Sequence, residues 1–190
     1  MKSPSTVRKI LMYILFVAGF SLLQFFWPTA WTAWGIKPDF QLVLVASCGF
    51  LYGFTDGLLT GLFCGLIRDC LSARYMGLGL LMLFICGVLS ARILKKRFSP
   101  NLVTLFLLVA LLTAGSDLII FLFQLTVAHA GHVAQWPMQL WGVILKRFIP
   151  QILFNMVSAI PVFALLRHFG PYPRRFQDIR LEQSAERILS

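Results

Sequence analysis

The sequence predicts an all-α integral membrane protein, a bundle of six transmembrane helices with both termini in the cytoplasm. Hydrophobic residues make up 58% of the 190-residue chain and charged residues only 13%, whereas soluble domains carry about a quarter charged residues. Apolar stretches long enough to cross a bilayer recur along the chain. Lys and Arg gather near the N-terminus, at residues 92–97 and after residue 166, which is the bias of cytoplasmic segments.

The six predicted spans follow from hydropathy and from the charged or turn-forming residues that separate them. They cover residues 10–27, 39–54, 57–71, 76–94, 102–127 and 148–166. The first span ends without a small-residue cleavage site, which favours a retained helix over a signal peptide. We therefore divide the chain into an N-terminal cytoplasmic tail (1–9), a six-span membrane domain (10–168) and a C-terminal cytoplasmic tail (169–190).

The charge distribution sets the predicted orientation. Of the 17 basic residues, 12 precede the first span, lie from Arg92 at the inner end of the fourth span to the start of the fifth, or follow the sixth. All five tryptophans fall in the opposite, outer connections or, for Trp27, at the span end that borders one, where indole rings anchor at the membrane interface. The net charge of +10 is explained by basic flanks that contact anionic lipid headgroups. Since no nucleic-acid-binding module is present, we expect membrane lipid and not nucleic acid as a partner.

Small residues recur at every fourth position from the second span to the fourth. A four-residue step drifts by about 40° around a helix, so one straight helix cannot present the whole series to one neighbour. We expect a turn at residues 54–57 to divide the series into two stripes. Small residues let helices approach closely in lipid, and the neighbour is either another span of this chain or a partner's helix. The series contains Gly49, Gly53, Gly57, Gly61 and Gly65, then Asp69 and Gly77.

The ionisable residues singled out inside the predicted spans are Arg68, Asp69 and Asp117. Arg68 and Asp69 lie near the outer end of the third span, either as a functional pair or at the interface with Arg68 reaching outward. Asp117 interrupts the apolar fifth span. An unpaired carboxylate at that depth is costly, so we expect Asp117 to face the bundle interior and either to pair with Arg68 or to stay protonated. Replacement of Asp117 by Asn should then be tolerated better than replacement by Leu.

Catalytic and metal-binding patterns are not evident, and the sequence predicts no enzyme, cofactor or metal site. No nucleophile elbow and no phosphate-binding loop occur. His129 and His132 lack nearby acidic or thiol residues to complete a ligand set. The four cysteines lie in spans without a Cys-x-x-Cys pair and read as apolar fillers. Asp56-Gly57 followed by Asp69 approaches the metal-binding signature of CDP-alcohol phosphotransferases but lacks its Ala-Arg and its later Asp.

Residues 38–96 resemble the rod shape-determining protein MreD family. The resemblance rests on an ordered set of motifs: Pro38-Asp39-Phe40 at the start of the second span, the glycine ladder 53–65, Gly65-Leu66-Ile67-Arg68-Asp69 against the family's Gly-Leu-x-x-Asp, and Met76-Gly77-Leu78. Arg68 departs from the apolar residue usual in the family.

The resemblance implies a non-enzymatic, multi-pass subunit of the cell-wall elongation (rod) complex in the bacterial inner membrane, needed for rod cell shape. It implies helix packing with a bitopic MreC-type periplasmic scaffold, and through it action with MreB filaments, RodA and a penicillin-binding transpeptidase. MreD proteins also resemble the S-components of energy-coupling-factor vitamin transporters in fold. The alternative function is therefore a solute-binding transporter subunit, although the Ala-x-x-x-Ala pair of S-components is missing from the first span, where Leu22 follows Ala18.

Overall fold

A computed structural model describes residues 6–28, 32, 36–72, 77–95, 102–128 and 147–172 of the chain. These ranges contain six α-helices, one for each predicted span, so the all-helical prediction is confirmed. The helices are α1 (Thr6–Phe25), α2 (Phe40–Tyr52), α3 (Phe54–Ser72), α4 (Leu78–Lys95), α5 (Leu102–Ala128) and α6 (Ile149–Phe169). The first helix begins inside the segment predicted as an N-terminal tail.

Length and apolarity make three of these helices candidates to cross a membrane. The three segments are Val7–Phe25, Leu102–Phe123 and Ile149–Phe169. Two more segments, Phe40–Tyr52 and Leu78–Arg92, are apolar but shorter. The chain therefore has the character of a membrane protein, and its long apolar helices are α1, α5 and α6.

The turn between α2 and α3 lies earlier than the sequence predicts. We expected it at residues 54–57, but the helices are separated by Gly53 alone, and α3 already includes Thr55, Asp56 and Gly57. Gly53 has φ +100°, a backbone conformation that glycine adopts without the strain that a Cβ atom would cause. Asp56 lies in the first turn of α3, where the helix dipole favours a carboxylate.

The second helix is the centre of the bundle. It contacts each of the other five helices, and 12 of its 13 residues are buried. A helix of this length is only about 20 Å long. Because neighbouring helices surround α2 on every side, it needs no polar face, and Leu44, Val43 and Val45 are fully buried in the core.

The helices around α2 form two groups. On one side α3 and α4 pack along their whole length, and α1 contacts α2 and α3. On the other side α5 and α6 pack against each other and against α2, while α4 and α5 meet at few points. The core is therefore continuous through α2, and the α5–α6 pair is joined to the remaining helices mainly by that central helix.

Candidate functional site

The glycines of α3 form the surface on which α4 lies. A Cβ atom on Gly65 would come within 2.5 Å of the Cα atom of Leu80, and one on Gly57 within 2.9 Å of the carbonyl oxygen of Gly87. A Cβ atom on Gly61 would overlap the carbonyl oxygen of Leu83. The backbones of α3 and α4 thus approach more closely than alanine would allow, and the neighbour of this stripe is a helix of the same chain.

The stripe continues onto the central helix. A Cβ atom on Gly57 would lie 2.7 Å from the Cα atom of Gly49, and one on Gly49 would overlap the hydroxyl group of Ser90 in α4. Gly53 ends α2 and donates its N–H group to the carbonyl of Gly49 at 3.1 Å. Glycines from α2 and α3 therefore bring three helices together at one place.

Asp69 connects the end of α3 with the start of α4. Its buried carboxylate accepts hydrogen bonds from the backbone N–H groups of Gly77 at 2.9 Å, Gly79 at 3.0 Å and Leu80 at 2.9 Å. The first N–H groups of a helix have no partner inside the helix, and a carboxylate there is favoured by the helix dipole. Gly77 has φ +96°, which lets the chain present these N–H groups to Asp69.

Arg68 forms an ion pair with Asp39. Its Nη1 atom lies 2.8 Å from Asp39 Oδ2, and the two side chains are 31% and 13% exposed. Asp39 is also the N-cap of α2, since its Oδ1 atom accepts the N–H group of Leu42 at 3.1 Å. Pro38 directly precedes this N-cap residue. The sequence placed Asp39 at a helix start but did not pair it with Arg68.

A buried amide links the second group of helices to the start of α2. Asn155 in α6 is fully buried. Its Oδ1 atom accepts the N–H group of Asp39 at 2.6 Å, and its Nδ2 atom donates to the hydroxyl group of Thr113 in α5 at 3.0 Å. Sequence reasoning missed this residue. The available signal was an amide in the middle of an apolar span, where polar side chains commonly hydrogen-bond between helices.

Asp117 lies one turn beyond Thr113 on α5, partly buried. Its Oδ2 atom is buried and has no hydrogen-bond partner among the residues that the structure describes. The ion pair of Arg68 is with Asp39. We expected Asp117 either to pair with Arg68 or to stay protonated. Because Arg68 pairs with Asp39, protonation of Asp117 is the state that we continue to predict.

Candidate metal ligands are dispersed in the described part of the chain. No group of three or more His, Cys, Asp or Glu side chains occurs within those ranges. Cys48, Cys64 and Cys86 are buried and Cys70 is exposed, all as free thiols. His129 and His132 lie outside the described residues.

The apolar helices, the glycine contacts between them and the polar side chains at the helix ends define an α-helical membrane protein. A family model described as rod shape-determining protein MreD matches residues 4–169. The chain therefore belongs to the MreD family, and rod shape determination is its role. The match extends well beyond residues 38–96, where the motifs were found. Searches of curated proteins and of solved structures gave no match.

Proposed function

We propose that the chain is a non-enzymatic subunit of the cell-wall elongation complex that acts by helix packing with a single-span MreC-type partner. Membership of the MreD family carries this proposal. In the proposed arrangement all six helices cross the inner membrane, with both termini in the cytoplasm. The end of the bundle that contains Asp39, Arg68 and Asp69 then faces the periplasm, which is where most of an MreC-type scaffold lies.

The surface that we propose for the partner is the outer face of α1. Only 17% of the apolar segment of α1 is buried, against 33% for α5 and 28% for α6. Ala18 and Gly19 lie exposed on this helix, and a Cβ atom on Gly19 would meet nothing within 4 Å. Exposed small residues allow a second helix to approach closely in lipid.

This proposal assigns different roles to the glycines of different helices. The glycines at 57, 61 and 65 are covered by α4, so they stabilise the subunit itself. The partner helix instead needs a place that is open in the folded chain. MreB filaments, RodA and the transpeptidase would be reached through the MreC-type partner, and an S-component-like arrangement of the six helices stays a prediction.

Co-purification with the MreC-type partner tests the proposed surface. We expect Gly19→Leu to reduce recovery of the partner about tenfold or more, since one leucine side chain can separate two closely packed helices. Gly115→Leu is the matched control, because a Cβ atom on Gly115 in α5 also meets nothing within 4 Å. Equal recovery for both variants would exclude the α1 surface, and retention of rod shape after depletion of the protein would overturn the function itself.

A further inference from the structure

A short segment after α6 joins three other helices at the end of the bundle opposite to Asp39. Residues 170–172, here called the strap, follow the last turn of α6, and Gly170 and Pro171 are buried. The hydroxyl group of Tyr172 donates to Asp56 Oδ2 at 3.1 Å. The strap therefore connects the end of α6 to the first turn of α3, across 116 residues of sequence.

The tyrosine ring of the strap is enclosed by two further helices. Its centroid lies 5.2 Å from that of Tyr52, the last residue of α2. The ammonium group of Lys9 in α1 lies 4.4 Å from the centroid of the Tyr172 ring, within the range of a cation–π interaction. Since α1 and α6 share little other contact among the described residues, the strap is their main connection.

Tyr52 holds the base of the strap. Its hydroxyl group donates to the carbonyl oxygen of Leu166 at 2.7 Å, one of the last carbonyls of α6, which have no partner within the helix. A Cβ atom on Gly170 would overlap this hydroxyl group. Glycine at 170 therefore allows the chain to turn directly over Tyr52, so that Tyr172 can reach Asp56.

We propose that the strap is a releasable lock between the α5–α6 pair and the other four helices. The pair is joined to the rest mainly through α2, and Asn155 fixes it at the other end through Asp39. When the strap opens, the end of α6 swings away from α2 about the Asn155 contact. The strap is held by side-chain contacts of Tyr172 and Tyr52, and local segments of a fold can open without unfolding of the domain. The lock does not depend on the partner surface proposed for α1.

Cys48 provides a natural probe of opening. It lies one turn before Tyr52 on the same face of α2, beside Thr60 and Asp56 of α3, and is 1% exposed. Cys64 in α3 and Cys86 in α4 are also buried in the core. An open strap exposes Cys48 first, whereas general loosening of the fold exposes all three thiols.

The test measures the rate at which each thiol of the full-length Cys70→Ser protein reacts with a small membrane-permeant maleimide, resolved by peptide mass spectrometry. We expect Tyr172→Ala to accelerate the reaction of Cys48 with the maleimide about tenfold. Tyr172→Phe keeps the ring but loses the hydrogen bond to Asp56, and it should accelerate the same reaction about threefold. Cys64 and Cys86 should keep their rates. Phe169→Ala is the matched control, because it removes an exposed aromatic ring three residues earlier and should change no rate.

Two results would overturn the lock. One is a Cys48 rate in Tyr172→Ala equal to that of the parent protein; the other is equal acceleration of all three thiols in both Tyr172 variants. The swing of α6 is tested by spin labels on exposed Leu165 in α6 and Leu89 in α4. Tyr172→Ala should lengthen or broaden the distance distribution between the labels, and an unchanged distribution would exclude the movement.

Discussion

Asp39 and Arg68 fasten the beginning of the central helix to the end of the third. The 2.8 Å contact between Asp39 Oδ2 and Arg68 Nη1 uses the carboxylate oxygen that does not cap α2, so one side chain serves two helices. Asp39 is also the backbone donor to Asn155. Three helices therefore depend on a residue that hydropathy marks only as the edge of a span.

Substitutions of Asp39 should separate its two roles. Asn caps helices about as well as Asp, so Asp39→Asn should lose the ion pair alone and lower the free energy of unfolding by about 1–2 kcal/mol. Asp39→Ala should lose the cap as well, about 1 kcal/mol more. Thermal unfolding in detergent measures both. The double variant Asp39→Asn/Arg68→Met should lose less free energy of unfolding than the sum of the losses in the two single variants. Strictly additive losses would argue against an ion pair between Asp39 and Arg68.

Asp69 should be required for the start of α4. Asp69→Ala removes the acceptor of three backbone N–H groups, and we expect a loss of about 3 kcal/mol because bonds to a charged acceptor are the stronger class. Asp69→Asn keeps one oxygen and should lose less. Hydrogen exchange gives a local readout, since the amides of Gly77, Gly79 and Leu80 should exchange faster in both variants. Unchanged exchange at these amides would contradict the cap.

Glycine substitutions should have opposite effects in α3 and α5. Gly61→Ala places a Cβ atom against the Leu83 carbonyl and should lower the free energy of unfolding by about 1–3 kcal/mol through overpacking. A Cβ atom on Gly115 would meet nothing within 4 Å. Gly115→Ala should therefore be neutral or stabilise the fold by up to about 1 kcal/mol, the difference in helix propensity between the two residues. Unfolding midpoints of the two variants decide this, and equal midpoints would contradict the close packing of α3 on α4.

Asp117 should tolerate an uncharged polar replacement. An amide keeps the size and hydrogen-bonding groups of a protonated carboxyl group, whereas Leu has no hydrogen-bonding group. We therefore expect Asp117→Asn to support rod shape after depletion of the native protein, and Asp117→Leu to support it poorly. Full complementation by Leu, at equal protein levels, would show that the carboxyl group has no such role.

Cys70 can report on the proposed orientation. It is the exposed thiol near the end of α3, while Cys48, Cys64 and Cys86 are buried. With the outer membrane permeabilised, a membrane-impermeant maleimide should label Cys70 from the periplasm, and Cys70→Ser should abolish the signal. The control is His168→Cys at the end of α6, added to Cys70→Ser, which should react only after the inner membrane is opened. The reverse pattern would invert the orientation.

Much of the fold follows from local sequence properties. Hydropathy located all six helices because each is one apolar stretch bounded by polar or turn-forming residues. The misplaced turn at 54–57 has a local cause as well: two adjacent candidates, Gly53 and Asp56-Gly57, compete, and a carboxylate in a first helical turn is as favourable as one in a loop. The glycine spacing predicted close approach of helices, and Gly57, Gly61 and Gly65 lie against the backbone of α4.

The partners of these residues could not be obtained from one sequence. Spacing shows that Gly61 needs a close neighbour, but nothing local indicates that the neighbour is Leu83. The sequence suggested Asp69 or Asp117 as the partner of Arg68, whereas the structure pairs Arg68 with Asp39, a contact that depends on how α2 and α3 are arranged around each other. The strap was missed for the same reason, since Tyr172 lies 116 residues from its partner Asp56, in a segment that reads as a polar tail.

The central position of α2 has a consequence for biogenesis. A 13-residue helix is shorter than the about 20 residues that a transmembrane helix inserted alone needs, and its buried Gln41 and Ser47 would face lipid if it entered alone. We expect α2 to leave the translocon together with α3 and α4, as a three-helix unit already packed through its glycines. In this order of insertion α1 enters the membrane first. The unit of α2, α3 and α4 then inserts beside α1, and α5 and α6 pack against α2 last.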